Sequence, residues 1–266
     1  ALANNQEVSV CLIEKGSEIG AHILSGNVFE PTALNELLPD WKEKGAPLNT
    51  PATKDVVKFI VSENISFNVP FPSFLIPTFN NHGNYVMSLA NFCRWLATQA
   101  ESLGVEIFPG FTASEAIFEG DVVKGILTGE MGVSKDGEKK PSYQPSMELR
   151  GKYTIFAEGC RGHLGKQLIK KFNLDENKDP QHYGIGFKEV WDISPEDHSE
   201  GTVMHTMGWP SNGTISGSYF YHGENNQVYL GYVVPLDYEN PYLSPFDEFQ
   251  QWKQQKDIKK LSLIHI

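Results

Sequence analysis

Two acidic residues follow apolar runs that predict buried β-strands. Glu14 ends the run Val8–Glu14, and Glu158, with Gly159 after it, follows the run Tyr153–Ala157. A carboxylate at such a strand end can accept hydrogen bonds from a nucleotide ribose, and a neighbouring glycine lets the backbone approach a ligand closely. Taken singly, Glu14 is more simply a solvated strand end, and Glu158-Gly159 is at least as simply a tight turn.

The elements around these positions occur in an order similar to that of flavoproteins with two dinucleotide-binding domains. Apolar spacing and turn residues predict the short helix Pro31–Leu38, the amphipathic helix Asn84–Leu103, the strand Val105–Phe108, the hairpin strands Ala113–Glu119 and Val122–Thr128, and the helix Leu164–Phe172. With the two acidic strand ends, this order favours a mixed α/β fold that binds FAD.

The last third of the chain is rich in short β-prone runs. Four of them predict a mainly antiparallel four-stranded sheet: Gly184–Trp191, Thr202–Trp209, Gly217–His222 and Val228–Val234. Ser244 followed by Pro245 predicts the start of a helix, because serine caps helices and proline suits the first helical position.

An apolar stretch without charges lies in the first third. The run Phe67–Phe79 is broken by three prolines, which exclude a helix and predict an extended loop or hairpin. A packed core segment is one interpretation. A surface that enters a membrane face is the sharper one, and its side chains would be Phe67, Phe71, Phe74, Leu75, Ile76 and Phe79.

Composition excludes several classes of protein. The chain has 266 residues and a net charge of −11, whereas a general nucleic-acid binder would need the opposite sign. The three cysteines, Cys11, Cys93 and Cys160, are scattered, so they predict no disulfide framework and no metal site. A reducing compartment fits this cysteine usage, and no apolar run is long enough to span a bilayer.

Several longer strings resemble the electron transfer flavoprotein–ubiquinone oxidoreductase family. They are the segments Glu14–Gly26, Pro39–Leu48, Asn80–Tyr85, Ile155–Cys160, Tyr183–Gly186 and Asp237–Phe246. The similarity extends from about Val8 to about Lys253, which is nearly the whole chain.

The resemblance implies an enzyme that contains FAD and a 4Fe-4S cluster on the matrix side of the mitochondrial inner membrane. Such an enzyme takes electrons from electron transfer flavoprotein and reduces ubiquinone. The resemblance places the family's glycine-rich phosphate loop before residue 1 and its cluster cysteines after residue 266. It implies cofactor contacts at Glu14, Gly26, Glu158 and Gly159.

The family has a Gly-Gly pair at the quinone head group, which Ser216-Gly217 matches with one departure. A Cβ at Ser216 narrows the close approach that glycine permits. His82, His205 and His222 are candidate proton donors to a reduced quinone, although a single histidine is more often structural. No catalytic residue is assigned.

The resulting domain prediction divides the chain into five parts. Residues 1–57 and 81–176 form the FAD-binding domain, 58–80 the apolar hairpin, 177–250 an inserted β-rich quinone-binding domain, and 251–266 a tail. The last six residues, Leu261–Ile266, match the translation of a sequencing adapter and are expected to be non-native, with a short terminal strand as the alternative.

Two other functions stay open at this point. One is an FAD-dependent reductase or hydroxylase that acts on a hydrophobic substrate. The other is a non-catalytic binding module at a membrane surface.

Overall fold

The computed structural model describes residues 8–24, 26–70, 79–211 and 213–262. Four of the predicted membrane residues, Phe71, Phe74, Leu75 and Ile76, lie outside these ranges. The helices are α1 Thr32–Leu37, α2 Leu89–Ser102, α3 His163–Phe172, α4 Pro245–Lys253 and α5 Lys256–Ser262. The strands are β1 Val10–Glu14, β2 Asn27–Phe29, β3 Thr50–Pro51, β4 Lys54–Ser62, β5 Ile65–Asn68, β6 Tyr85–Met87, β7 Val105–Pro109, β8 Ala113–Glu119, β9 Val122–Thr128, β10 Met131–Val133, β11 Lys139–Gln144, β12 Glu148–Arg150, β13 Gly184–Asp192, β14 Thr202–Gly208, β15 Gly217–His222 and β16 Gln227–Pro235.

The chain forms two compact units. Residues 1–22 and 96–180 make the first unit, and residues 23–95 and 181–266 make the second. The domain boundaries predicted from the sequence lie at other residues and stay predictions. None of the described helices is long and apolar enough to cross a membrane.

The first unit contains a parallel strand pair and a hairpin sheet. β1 pairs with β7 in parallel, and Glu14 lies opposite Pro109 at the end of the pair. β8 and β9 form the predicted hairpin with the predicted bounds, and β12 adds a third strand beside β9. Gly120 turns this hairpin with a φ of 61°, a conformation that glycine adopts without strain.

The strand predicted at Tyr153–Ala157 is wrong. None of these residues is assigned to a strand, and Tyr153 and Ile155 are 92% and 91% exposed. Strand propensity alone does not hold an extended segment, because its backbone groups need a neighbouring strand. Within the described residues, no strand pairs with this segment.

The second unit is built on a six-stranded sheet in the order β13-β16-β15-β14-β4-β5. The four strands predicted from the last third of the chain are present and run antiparallel. The predicted strand number is too small, because β4 joins β14 in parallel and β5 completes the edge. Charged residues within Lys54–Lys58 obscured β4 in the sequence.

One face of this sheet is packed by α4 and α5. Phe249 and Trp252 of α4 and Ile258 of α5 are 1% exposed or less, and they share a core with Phe220 and Leu230 of the sheet. The Trp252 Nε1–H donates to Thr206 Oγ1 at 2.9 Å. The core therefore includes a satisfied polar group that fixes α4 against β14.

Of the two helix starts considered next, the one at Ser244 is predicted correctly and the one at Asn84 is not. Ser244 caps α4 as predicted, accepting a hydrogen bond from the Asp247 amide at 3.4 Å. The predicted helix Asn84–Leu103 begins too early, since β6 occupies Tyr85–Met87 and pairs with β2 and β3. Apolar spacing could not show this, because the pairing depends on strands distant in sequence.

Candidate functional site

The second face of the six-stranded sheet carries a row of apolar side chains and glycines. Residues paired across neighbouring strands point to the same face of a sheet. The pairing therefore aligns one residue from each strand in a single row: Gly186, Val233, Gly217, Met207, Phe59 and Phe67. Val233, Phe59 and Phe67 are 42%, 38% and 53% exposed. We call this set the apolar row.

A second row beside it is polar and aromatic. Lys188, Gly231, Tyr219, His205 and Val57 align in the same way. Gly231 is required here, because a Cβ at that position would overlap the Tyr219 ring. His205 Nε2 lies 2.9 Å from the Tyr221 hydroxyl, and burial lowers the pKa of His205.

A third row, which contains Tyr229, Tyr221 and Val203, lies on the other side of the second row. Tyr229 and Val203 are 5% and 0% exposed, and they pack with Ala52 and Val86 from the first half of the unit. On the central strands β16 and β14, exposure therefore increases from Tyr229 and Val203 to Val233 and Met207 of the apolar row. A ligand with a flat apolar body could lie on the open end and present polar atoms to the second row.

The two residues of the predicted quinone site have different surroundings. A Cβ added at Gly217 would have no atom of the described residues within 4 Å, so among these residues the position borders open space on the apolar row. The Ser216 hydroxyl lies 2.9 Å from the hydroxyl of Tyr232, a residue that belongs to the core beneath α4. The serine side chain is thus engaged on the packed face of the sheet.

Only one of the three candidate histidines shares the face of Gly217. His222 belongs to the packed side, where its Nδ1 accepts a hydrogen bond from the Ser199 amide at 3.1 Å. Burial, together with His198 and Lys54, lowers the pKa of His222 to about 4, so this imidazole is neutral near pH 7. His82 is exposed in a turn. His205 therefore stays a candidate proton donor.

Glu14 lies where β1 ends, in the first unit. Its Oε1 accepts a hydrogen bond from the Gly16 amide at 2.6 Å. The Gly16 carbonyl accepts from Gly110, and the Glu14 carbonyl accepts from Phe111, at 2.7 and 3.0 Å. These hydrogen bonds fix the turn from Glu14 to Gly16 at both ends. The second carboxylate oxygen of Glu14, Oε2, has no hydrogen-bond partner among the described residues.

Glu158 has a structural task that the sequence did not indicate. Its two carboxylate oxygens accept hydrogen bonds from the Leu164 and Gly165 amides, at 3.2 and 2.9 Å. These amides belong to the first turn of α3, whose N–H groups lack partners within the helix. Gly162 gives the carboxylate room, since a Cβ there would lie 2.7 Å from Glu158 Oε2. Gly159 has a φ of 78°, and no atom of the described segments lies within 4 Å of its Cβ position.

Gly26, in the second unit, is a close-packing glycine. Its φ is 83°, and a Cβ there would overlap the ring of Tyr229. Its carbonyl oxygen accepts a hydrogen bond from Lys188 Nζ at 2.6 Å. Sequence reasoning missed Lys188, because its neighbours along the chain give no sign of this long-range contact.

Two predicted membrane residues can be located. Phe67 ends the apolar row beside Phe59, with ring centroids 5.5 Å apart. Phe79 lies 5.4 Å from the His205 ring, close to the second row. Gly217 and Phe67 are three strands apart, which is about 14 Å at a spacing of about 4.8 Å per strand. The structure thus brings a predicted quinone residue and a predicted membrane residue onto one surface.

The residues that the structure describes contain no group of three or more histidine, cysteine or acidic side chains able to hold a metal ion.

Comparison with known proteins identifies the chain's relatives. Residues 183–263 match the family model described as ETF-QO, ubiquinone-binding. The chain is 60% identical over 259 residues to the electron transfer flavoprotein-ubiquinone oxidoreductase of Pseudomonas aeruginosa. The aligned residues make up 96% of this chain and 47% of that protein. Over almost its whole length, the chain is therefore similar to a part of the electron transfer flavoprotein–ubiquinone oxidoreductases. The human mitochondrial member is 49% identical over 263 residues, covering 97% of the chain and 42% of that protein.

The chain thus spans less than half the length of these family members. Its fold is also found in a flavoprotein/dehydrogenase of known structure from Cytophaga hutchinsonii. That structure gives a TM-score of 0.57 at 16% identity, covering 96% of this chain and 57% of the other. The mixed α/β flavoprotein fold predicted from the sequence is confirmed. The matched segment 183–263 includes the strands β13 to β16 and the residues Ser216 and Gly217.

Proposed function

We propose that this chain is part of an oxidoreductase that takes electrons from electron transfer flavoprotein and reduces ubiquinone. The observation that carries the proposal is the open space at Gly217. It lies on the apolar row, inside the segment that matches the ubiquinone-binding family model. A quinone ring is flat and apolar with two carbonyl oxygens, which suits an apolar row beside a polar one.

The residues of the second unit would bind and orient the quinone. Gly217 would admit the ring close to the backbone, while Val233 and Met207 would contact it on either side. Reduction adds two electrons and two protons to a quinone. His205, hydrogen-bonded to Tyr221, is the candidate to hold one of those protons.

The residues of the first unit fit part of an FAD molecule. Glu14 keeps one carboxylate oxygen without a partner among the described residues, as an acceptor for a ribose hydroxyl requires. Gly159 leaves open space beside the backbone. Glu158 would contribute by fixing the start of α3, and Gly26 stays a predicted cofactor contact. Bound FAD supplies the transfer of electrons, whereas the chain supplies binding and orientation.

Two further parts of the proposal concern groups outside the described residues. A 4Fe-4S cluster would be held by residues outside the part of the relatives that this chain matches. The protein would lie on a membrane surface and contact lipid. The matrix side of the mitochondrial inner membrane is the compartment predicted from the resemblance.

Glu14→Ala in the complete protein should weaken FAD binding by about 1.5–3 kcal/mol, the usual contribution of a hydrogen bond to a charged group. Titration of the apoprotein with FAD measures this. Glu14→Gln keeps an acceptor for the Gly16 amide but removes the charge, so it should also weaken binding. Glu115→Ala, at an exposed position of β8, is the control. Unchanged FAD affinity in both Glu14 variants would mean that Glu14 only stabilises the turn that it forms with Gly16.

Gly217→Ala should raise the KM for ubiquinone roughly 10- to 100-fold, because an extra methyl group in a packed contact costs about 1–3 kcal/mol. The added methyl meets no atom of the described part of the chain within 4 Å, so stability and FAD content should stay at the wild-type level. Gly129→Ala is the control, because its added methyl would make only ordinary van der Waals contacts with Thr112. A normal KM in Gly217→Ala would place the quinone elsewhere.

Phe67→Ser should release the protein from neutral liposomes, with a partition constant lowered at least about tenfold. Burying one phenylalanine contributes about 1.5–3 kcal/mol, and 1.4 kcal/mol corresponds to a factor of ten. Binding should survive high salt, because a protein of charge −11 is not attracted to anionic lipid. Leu37→Ser, at a 72% exposed position of α1, is the control. Equal release by both variants, or release of the wild type by moderate salt, would contradict the lipid contact.

A further inference from the structure

The His205 side chain lies against two aromatic rings on the exposed face of the six-stranded sheet. Its ring centroid is 5.5 Å from that of Tyr221, which it meets edge to face, and 5.4 Å from that of Phe79. Tyr221 in turn stacks on Tyr219, with ring centroids 4.7 Å apart. These contacts restrict how the imidazole can turn.

Tyr221 makes one hydrogen bond with this imidazole. Its hydroxyl oxygen lies 2.9 Å from His205 Nε2. Among the described residues, the hydroxyl has no other hydrogen-bond partner, and His205 Nδ1 has none. Burial and the neighbouring Tyr219 raise the pKa of Tyr221, so the hydroxyl keeps its proton at neutral pH.

The direction of this hydrogen bond decides which imidazole nitrogen carries hydrogen. A neutral imidazole has one N–H group and one bare nitrogen. If His205 Nε2 donated, the Tyr221 proton would have no acceptor within the described segments. If Tyr221 donates to Nε2, both groups are satisfied and the imidazole proton lies on Nδ1. Because an unsatisfied, half-buried donor costs free energy, the geometry favours the second arrangement.

The groups around His205 keep the imidazole neutral. Burial lowers its pKa, and the negative charge of Asp55 on β4 opposes this only in part. The Asp55 carboxylate oxygens accept hydrogen bonds from the Asn81 side chain and amide, at 2.6 and 3.0 Å. The other titratable groups against the imidazole are Tyr219 and Tyr221 of β15, and burial raises the pKa of both. At pH 7 His205 therefore holds one ring proton.

His205 lies beside the proposed quinone position. Met207 pairs with Gly217, and His205 is two residues from Met207 on the same face of β14, about 7 Å along the strand. A ring over Gly217 and Met207 would therefore have the His205 side chain next to it. An N–H group there can donate to a quinone oxygen and stabilise the negative charge that grows on this oxygen as electrons arrive.

We propose that Tyr221 is a positioning residue that sets the His205 tautomer, so that Nδ1–H donates a hydrogen bond to a quinone carbonyl oxygen. This inference rests on the proposed function and adds a residue that the sequence did not indicate. Tyr221 acts through His205 and does not touch the quinone. Without the tyrosine hydroxyl, the neutral imidazole can carry its proton on Nε2 instead, and a bare Nδ1 then faces the quinone oxygen.

The pH dependence of the KM for quinone separates this role from a merely structural one. An imidazolium has hydrogen on both nitrogens, so below the pKa of His205 the Nδ1–H group donates with or without Tyr221. Above that pKa, only one of the two neutral tautomers can donate. Loss of the Tyr221 hydroxyl should therefore matter only as the pH rises through the pKa of His205. A structural defect would weaken quinone binding at every pH.

The experiment measures the KM for ubiquinone between about pH 5 and 8, where histidine titrates, in the complete, FAD-containing protein. Reduced electron transfer flavoprotein supplies the electrons. The KM of Tyr221→Phe relative to wild type should be near one at the acid end. It should rise to roughly three- to tenfold at the alkaline end, the range that a neutral hydrogen bond covers. Tyr221→Leu serves in its place if the phenylalanine variant does not retain FAD.

Two controls isolate the hydroxyl of Tyr221. Tyr229→Phe removes a hydroxyl from the residue that pairs with Tyr221 in the third row, and that hydroxyl has no hydrogen bond to His205. Its KM should follow the wild type at every pH. In a His205→Gln background, Tyr221→Phe should cause no further change, because Tyr221 acts only through His205.

The outcomes separate this inference from the proposed function. A relative KM of one at every pH, a KM raised equally at every pH, or an undiminished effect in the His205→Gln background would overturn the role of Tyr221. The proposed function would still stand, since the wild type would continue to reduce ubiquinone. A complete wild-type protein that does not reduce ubiquinone would overturn the proposed function itself.

Discussion

The packing of α4 and α5 on one face of the six-stranded sheet determines which residues remain on the other face and can contact a ligand. Trp252 and Phe249 are almost wholly buried, and the Trp252 indole is tied to Thr206 at 2.9 Å. Because side chains alternate along a strand, a residue next to Thr206 must point the opposite way. Burying Phe220 and Leu230 beneath the helices therefore commits Gly217 and Met207 to the exposed face.

Local patterns allowed some of this to be predicted from the sequence. The hairpin Ala113–Glu119 with Val122–Thr128 has the predicted bounds, because its two strands are joined by a tight turn. The strand Gly217–His222 was also predicted with its correct bounds. Elements that depend on distant partners were missed or misread. The pairing of β4 with β14 spans about 150 residues of chain, and the segment Tyr153–Ala157 reads as a strand but pairs with none in the described residues.

The candidate site shows the same division between local and distant information. Family resemblance placed expectations on Glu14 and Gly217, and their surroundings leave room for ligand contacts. It could not show that Glu158 holds the first turn of α3 with both oxygens. Nor could it show that Ser216 is bound to Tyr232, or that Lys188 reaches Gly26 from 162 residues away. Each of these contacts forms only after folding brings separate segments together.

The central claim is that the exposed face of the sheet, and not the packed one, receives the quinone. Two methionines of β14 allow a direct test: Met207 belongs to the apolar row, while Met204 is 8% exposed in the core beneath the helices. The complete protein would be irradiated with a photoactivatable ubiquinone analogue, and the labelled side chains would be located by mass spectrometry. The account predicts labelling of Met207 and neighbouring residues of the apolar row, suppressed by excess ubiquinone, with Met204 unlabelled. Competitive labelling confined to other regions, with the apolar row unlabelled, would contradict it.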